Sequence, residues 1–543
     1  MDEHNHSLIV TQSATSARPW TAALLGFAFL ALSGAASAQG AAGPAEAPDN
    51  GADNGYEVDD YPEGSQIDWQ SWDSELFEES KERERPIFFY FHGQWCTWCR
   101  DFQDESLENP DVVDTIDRHY IPVLVDLDER ADLFRRYGGR GLPFVVIVNH
   151  EDEMLTRFTG HVNPRDLQGI LEAQRDMFSV TGREITPDDA AINDLSAFRE
   201  MLHEVYDASA HRLSGSAAFG TLSKRPQPWT YRFLLDEEDW DDRMPAMLDQ
   251  IAADLYDGVE GGFFFFHDWD QRDPVLALET SKRLDQNAAF LWLYAEAYER
   301  FGEEHHAEFA RGIRDYLRDQ LWDEDQSRFG NSQYADRDYY QLDPEERLET
   351  DPPRVDRNTY ADTSGQAIAA LANMARVMED EDTLDWAREA MQALDRYLGT
   401  EAGFLHGISA EGLPAMDGYL PAQIWPEIAR VELARAIEAL EGEKPDLPDP
   451  VTALDRLEPF FDEELDAHAE RIGTDLEPWS ETRTQAALAW WLHRLPEEAV
   501  EASHIDPEKV RERLHIEPGA DPDDVAVGFH ALRAGIPGLG EEE

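Results

Sequence analysis

The chain has 543 residues, more than one core usually supports, and 42% of them are hydrophobic and 11% aromatic, ample for two or more folded domains. Lys and Arg number 46 against 114 Asp and Glu, giving a formal charge of −68. That excludes nucleic acid and anionic membrane surfaces as partners, since both need basic patches. The acids run along the whole chain, so the expectation is an acidic, halophilic surface whose self-repulsion is screened at high salt.

In chain order, residues 1–38 read as an export signal. Met1–Arg18 is mostly polar, Trp20–Leu32 is an apolar run, and Ala36-Ser37-Ala38 has the small-x-small pattern of a cleavage site. The run is short for a membrane span. The alternative is an uncleaved anchor, and only then does a membrane become a partner. Residues 39–64 carry Ala, Gly, Pro and acids but no Lys or Arg, the composition of a disordered tether. Export to a periplasmic or extracellular space lets a disulfide persist.

Residues 65–180 are expected to form an α/β domain. A polar helix through Arg85 precedes the apolar strand Pro86–Phe91, and a helix follows through about Leu107. Tyr120–Asp126 is a second strand, Glu129–Tyr137 a helix, Phe144–Val148 and Met154–Thr159 two further strands, and Pro164–Met177 the last helix. This order makes a mixed sheet covered by helices. Both cysteines of the chain lie in Trp95-Cys96-Thr97-Trp98-Cys99, between the first strand and its helix. A C-x-x-C there is a redox signature. The helix N-terminus favours a thiolate at Cys96, and Cys99, one turn on, can attack a mixed disulfide formed there. Arg100 beside the pair either adds a cation that favours the thiolate or stands as a solvated surface arginine. The alternatives are a zinc half-site or an inert bridge; zinc needs two more ligands, and the sequence has no second Cys pair or Cys/His knuckle. Neither metal nor cofactor is expected.

Asp68-Trp69, the C-x-W-C motif, Glu108-Asn109-Pro110-Asp111-Val112, Val125-Asp126 with Asp128-Glu129-Arg130, and Gly141-Leu142-Pro143 resemble the thioredoxin-like domain of the YyaL family. Animal members of that family are called spermatogenesis-associated thioredoxin-like proteins. The resemblance implies a cis-proline at Pro143 beside the thiols. The chain departs from the pattern in two ways. Thr97 and Arg100 stand where the family commonly has histidine, and Tyr90 occupies the place of the buried aspartate of ordinary thioredoxins.

From residue 181 to 543 apolar residues recur at three- and four-residue spacing. Ala190–Tyr206, Met244–Tyr256, Leu284–Arg300, Ala307–Leu321, Ala361–Met378, Thr383–Leu398, Pro426–Leu440 and Glu481–Leu495 are the expected helices. Helices in pairs, joined by turn-rich acidic loops, suggest an all-α toroid of hairpins. Here too the chain is similar to the YyaL family, whose helical part resembles six-hairpin (α/α)6 glycosidases and sugar 2-epimerases. The residues that carry it are Ala218-Phe219-Gly220 with Lys224, Gly261-Gly262-Phe263 with Lys282 and Asn287, Ser332–Asp336, Pro352–Arg357 with Tyr360 and Asp362, and Asp417–Leu420 with Gln423. Lys282, Asn287, Asp336, Asp356, Arg357, Tyr360 and Asp362 are therefore candidates for a cleft at one end of the toroid, with Asp268, Asp270 and Asp338 in the same loops.

Two functions follow from different classes. One is an exported thiol–disulfide oxidoreductase using Cys96, Cys99 and Pro143, flanked by Trp95, Thr97, Trp98, Arg100 and Tyr90. Its partner is a protein or small-molecule disulfide or dithiol, held or selected by the toroid. The other is a carbohydrate-active or carbohydrate-binding toroid with an accessory thioredoxin-like domain, two cleft carboxylates acting on a sugar.

Overall fold

A computed structural model describes residues 64–177, 195–213, 226–268, 277–415, 418–445, 448–474 and 476–512. The export signal, nearly all of the tether, Ala218-Phe219-Gly220 with Lys224, Asp270 and Asp417 lie outside the described residues.

The first domain is built on strand β1 (Ile87–His92). It pairs in parallel with β2 (Ile121–Asp126) and antiparallel with β3 (Phe144–Val148), and β4 (Met154–Thr159) closes the order β2-β1-β3-β4. The run Ile87–Phe91 is apolar at every position because both faces of the strand are covered. Ile87, Phe89 and Phe91 join Trp72, Val123 and Val146 in one core, while Phe88 and Tyr90 join Leu124, Val145 and Ile147 in the other. Helices α1 (Leu76–Arg83), α2 (Thr97–Phe102), α3 (Pro110–His119), α4 (Ala131–Arg136) and α5 (Pro164–Gln174) pack around the sheet. The helix expected through Leu107 changes to a π turn at Gln103–Leu107. Asn109 caps α3 by accepting from Asp111 N–H, and the preceding Glu108 accepts from Ser65, Gln66 and Gln103. The Glu108-Asn109-Pro110 motif thus starts one helix and ties down the domain's first residues.

The helical domain follows as α6 (Leu195–Val205), α7 (Pro228–Leu235), α8 (Met244–Leu255), α9 (Leu284–Phe301), α10 (Glu304–Tyr316), α11 (Ala361–Met378), α12 (Glu381–Leu398), α13 (Leu420–Glu441) and α14 (Thr482–Arg494), with shorter helical turns between them. Inner and outer helices alternate. α7, α9, α11, α13 and α14 pack side by side and are buried along most of their length, whereas α10 and α12 bury one stripe and present acids to solvent. This is the (α/α) hairpin toroid, and short antiparallel strips such as Lys282–Arg283, Ser332–Gln333 and Val355–Asp356 line one of its ends.

Two differences from the sequence reading have one cause, burial on all sides. α7 has no polar face and so no helical period to detect. α13 begins at Leu420 instead of Pro426 and carries that proline within it. Its backbone at Trp425–Pro426 lies against α11, where a Cβ on Gly365 would stand 2.6 Å from the Trp425 carbonyl carbon. Tight tertiary contact there accommodates a residue that would otherwise break a helix. Gly365→Ala is expected to cost about 1–3 kcal/mol by overpacking. Denaturant unfolding of the two chains measures it, and an unchanged midpoint would contradict the close approach.

Candidate thiol site at the toroid mouth

Cys96 caps α2, its Sγ accepting from the Cys99 N–H at 3.2 Å. Cys99 Sγ lies 2.6 Å from Cys96 Sγ, both as free thiols. The Leu142–Pro143 bond is cis, and Leu142 borders the Trp95, Cys96 and Cys99 cluster. Tyr90, in place of the usual acid, donates from its hydroxyl to the Cys99 carbonyl. His92 is kept neutral by burial, its pKa lowered to about 3. The thioredoxin-like side of the site therefore offers the pair no carboxylate from β1.

The pair does not face solvent: Cys96 is 2% exposed and Cys99 fully buried. The helical domain covers them. Phe265 meets Trp95 edge-on at 4.9 Å between ring centroids, and the Arg283 guanidinium lies 4.7 Å over the same indole. Trp95 donates its indole N–H to Asp128, whose other oxygen takes the Arg283 guanidinium at 2.7 Å. Ala335 N–H donates to the Trp95 carbonyl, and Arg100 donates to the Ala335 carbonyl. Tyr334 donates to Gln94, Arg337 pairs with Asp101 at 2.8 Å, and Arg337 also covers Trp98 at 5.2 Å. Thr97 and Arg100, the positions that depart from the family pattern, are thus contacts to the toroid. Thr97 Oγ1 lies 3.4 Å from Glu279 Oε1.

On the far side of the pair the β2–α4 loop, Asp126–Arg130, faces the candidate cleft. Burial, then the Asp128 charge, pushes Asp356 and Glu129 up to about 7, and Asp126 rises well above the carboxylate range for the same reasons. Asp362, raised to about 6 by burial and then Asp285, has one oxygen 3.9 Å from His406 Nε2. Tyr360 packs on the His406 ring at 5.1 Å. Arg130 clasps Asp132 in a buried bidentate pair that Arg471 joins from the helical domain at 3.2 Å, and Arg135 pairs with Glu481.

Of the seven cleft candidates, the structure brings Asp356, Tyr360 and Asp362 together beneath the thioredoxin-like domain. The other four serve the scaffold. Lys282 is fully buried with its ammonium 2.7 Å from Asp257, and Asn287 holds both backbone groups of Phe263. Asp336 caps the turn at Tyr339, and Arg357 donates to the Leu321 carbonyl. Sequence reasoning missed Glu279, Arg283, Phe265 and Asp128 as site residues. Only their pairing across the two domains marks them. Away from this site, Asp249, His305 and His306 bring three ligand-type atoms within 4.8 Å, with Asp249 and His305 already bonded to each other at 3.0 Å.

The raised carboxyls give docking a pH dependence with a defined sign. Their folded pKa values lie above the unfolded ones, so between about pH 4 and 7 the folded state holds protons that the unfolded state has lost. Stability from this cluster is therefore full at the acid end and falls as pH climbs through 7. The melting temperature should drop between pH 5.5 and 8, and Asp356→Asn should flatten the drop; equal slopes in both chains would refute this source.

Residues 62–146 match the family Thioredox_DsbH, described as a protein of unknown function, DUF255. Spermatogenesis-associated protein 20 of Rattus norvegicus is 23% identical over 299 residues, 46% of this chain and 36% of that protein. The chain is similar to the YyaL family in both its parts. It spans about a third of the length of that relative. The disulfide bond reductase DsbH of Chlamydia pneumoniae is 28% identical over 103 residues, 17% of this chain and 61% of the reductase. The solved cellobiose 2-epimerase of Spirochaeta thermophila covers 62% of this chain and 95% of its own at 13% identity, with a TM-score of 0.46.

Proposed function

We propose that this protein is an exported thiol–disulfide oxidoreductase whose toroid docks on the thiol pair. The observation that carries the reading is the placement of both thiols, 2.6 Å apart at the start of α2, inside the contact between the two domains. In this reading Cys96 attacks a disulfide of the partner, forming a mixed disulfide and releasing one partner thiol. Cys99 then attacks the Cys96 sulfur, so the chain's dithiol is oxidised as the partner's disulfide is reduced. Because Cys96 is covered, a protein-sized disulfide reaches it only when the toroid contact opens. The toroid thus gates the thiols and selects the partner. The match to the DsbH family supports disulfide chemistry, and the apolar run with Ala36-Ser37-Ala38 supports export. The purified chain is expected to exchange with a model disulfide, and Cys99→Ser to hold that substrate covalently on Cys96. A wild-type chain that exchanges with no disulfide at neutral pH sinks the reading.

A second reading is favoured by Asp356 and Asp362, two buried carboxyls held near neutrality beside Tyr360. It makes the toroid mouth a carbohydrate site. Oligosaccharide binding that Asp356→Asn and Asp362→Asn abolish is its expected result, and binding indifferent to both changes removes it.

A further inference from the structure

Thiol–disulfide exchange moves protons as well as electrons, and the thioredoxin-like domain provides little to move them. Tyr90 spends its hydroxyl on the Cys99 carbonyl, and His92 is held neutral by burial. The helical domain places a carboxyl beside the pair. Glu279 ends the two-residue strand Leu278–Glu279, which pairs with Phe266–His267 and so stands directly behind the Phe265 that covers Trp95. Its side chain is 1% exposed. Oε1 meets the Thr97 hydroxyl and the Ser281 N–H, each at 3.4 Å, while Oε2 is buried with no hydrogen-bond partner among the described residues. An unsatisfied buried carboxylate oxygen is costly and favours taking a proton.

We propose that Glu279 completes the thiol site from the other domain, as the positioning residue that holds the exchangeable proton for Cys96. This rests on the reading of the pair as an exchange site. The Cys96 S–H proton passes to the Glu279 carboxylate while the two domains are in contact, and the thiolate attacks the partner disulfide once the contact opens. The S–S bond breaks, its electron pair leaves on the distal sulfur, and that sulfur takes up a proton, which Glu279 can return. Cys99 gives up its own proton and displaces the second partner sulfur, so two electrons and two protons pass to the partner and the chain is left with the Cys96–Cys99 disulfide.

The surrounding charges suit this task. Burial pushes Glu279 up to about 7, while the Ser281 N–H, Arg337, the Thr97 N–H and Arg100 oppose the shift. Arg337 is itself paired with Asp101. Burial, Cys99 and then the Glu279 charge push the Cys96 thiol up. A carboxylate charge near the thiol disfavours the thiolate, so ionisation of Glu279 opposes ionisation of Cys96.

The test uses the full chain. Iodoacetamide labelling of Cys96, read by mass spectrometry from pH 5 to 10, should show an inflection near neutral pH in the wild type. Glu279→Gln should lose that inflection and label about 10-fold faster at pH 8, because the repelling charge is gone. Exchange with a model disulfide at pH 7 should instead slow by about 100-fold, because the proton carrier is gone. Glu279→Asp, which keeps the charge, should restore the inflection. Faster labelling with slower exchange is a split that a loosened interface would not give, since opening speeds both. Superimposable wild-type and Glu279→Gln profiles overturn the assignment. So does a wild-type profile with its sole inflection above pH 9, even with no folded variant in hand. If the wild type exchanges and Glu279→Gln exchanges equally well, this inference fails while the exchange reading stands; no exchange by the wild type removes the exchange reading itself.

Discussion

Cys96→Ser should abolish thiol–disulfide exchange, by a factor on the order of 10³ or more, as loss of a covalent nucleophile does. A serine hydroxyl is far less acidic than a thiol, and Cys99, fully buried beneath Cys96 and the Tyr90 contact, cannot take its place. The expected pattern is asymmetric. Cys96→Ser accumulates no covalent intermediate, whereas Cys99→Ser forms a mixed disulfide and stalls. Both substitutions are small and buried, so far-UV circular dichroism should be unchanged. Measurement is by turnover of a model disulfide and by mass of the trapped adduct. Retained exchange in Cys96→Ser would remove the site from the pair altogether.

Asp257→Ala should destabilise the helical domain by about 3–5 kcal/mol. Asp257 accepts from the Lys282 ammonium at 2.7 Å and from Arg347 at 3.0 Å, and Arg347 also reaches Glu260. Burial works against the Asp257 charge, yet Arg347 and Lys282 hold its pKa down to about 2. Removing the carboxylate leaves a fully buried ammonium whose remaining hydrogen bond among the described residues is to the Gly261 carbonyl at 2.9 Å, beside the Phe264, Tyr316 and Tyr340 rings. Asp257→Ala with Lys282→Met removes both charges and should recover much of the loss. Denaturant unfolding of the single and double variants measures this, and a single-variant cost below about 1 kcal/mol would mean the network is solvated in solution. The same result decides how Lys282 is read, since a residue that costs this much to orphan is part of the scaffold that carries the mouth loops.

Much of the first domain was legible because its signals are local. A strand with every position apolar, two cysteines three residues apart and a proline before a strand each report their surroundings within a few residues. The helices α9, α11 and α12 were equally clear, since a long segment repeats its 3.6-residue period several times. α7 was lost because it has no polar face, and the true start of α13 because Pro426 reads as a terminator wherever tertiary contact does not compensate. Among the cleft candidates, residue type alone could not separate Lys282 from Asp356. One is a buried cation neutralised inside the scaffold, the other a carboxyl facing the second domain.

The sequence by itself determined the two-domain order, the net charge of −68 and the position of the thiol pair between a strand and a helix. Those follow from composition and short-range spacing. Only the tertiary structure decided that the pair is covered, by what, and which acid stands next to it. Thr97 meets Glu279 across 182 residues of chain and Arg100 meets Ala335 across 235. Contacts over such separations leave no periodic trace in the sequence, because folding, not spacing, brings their partners together.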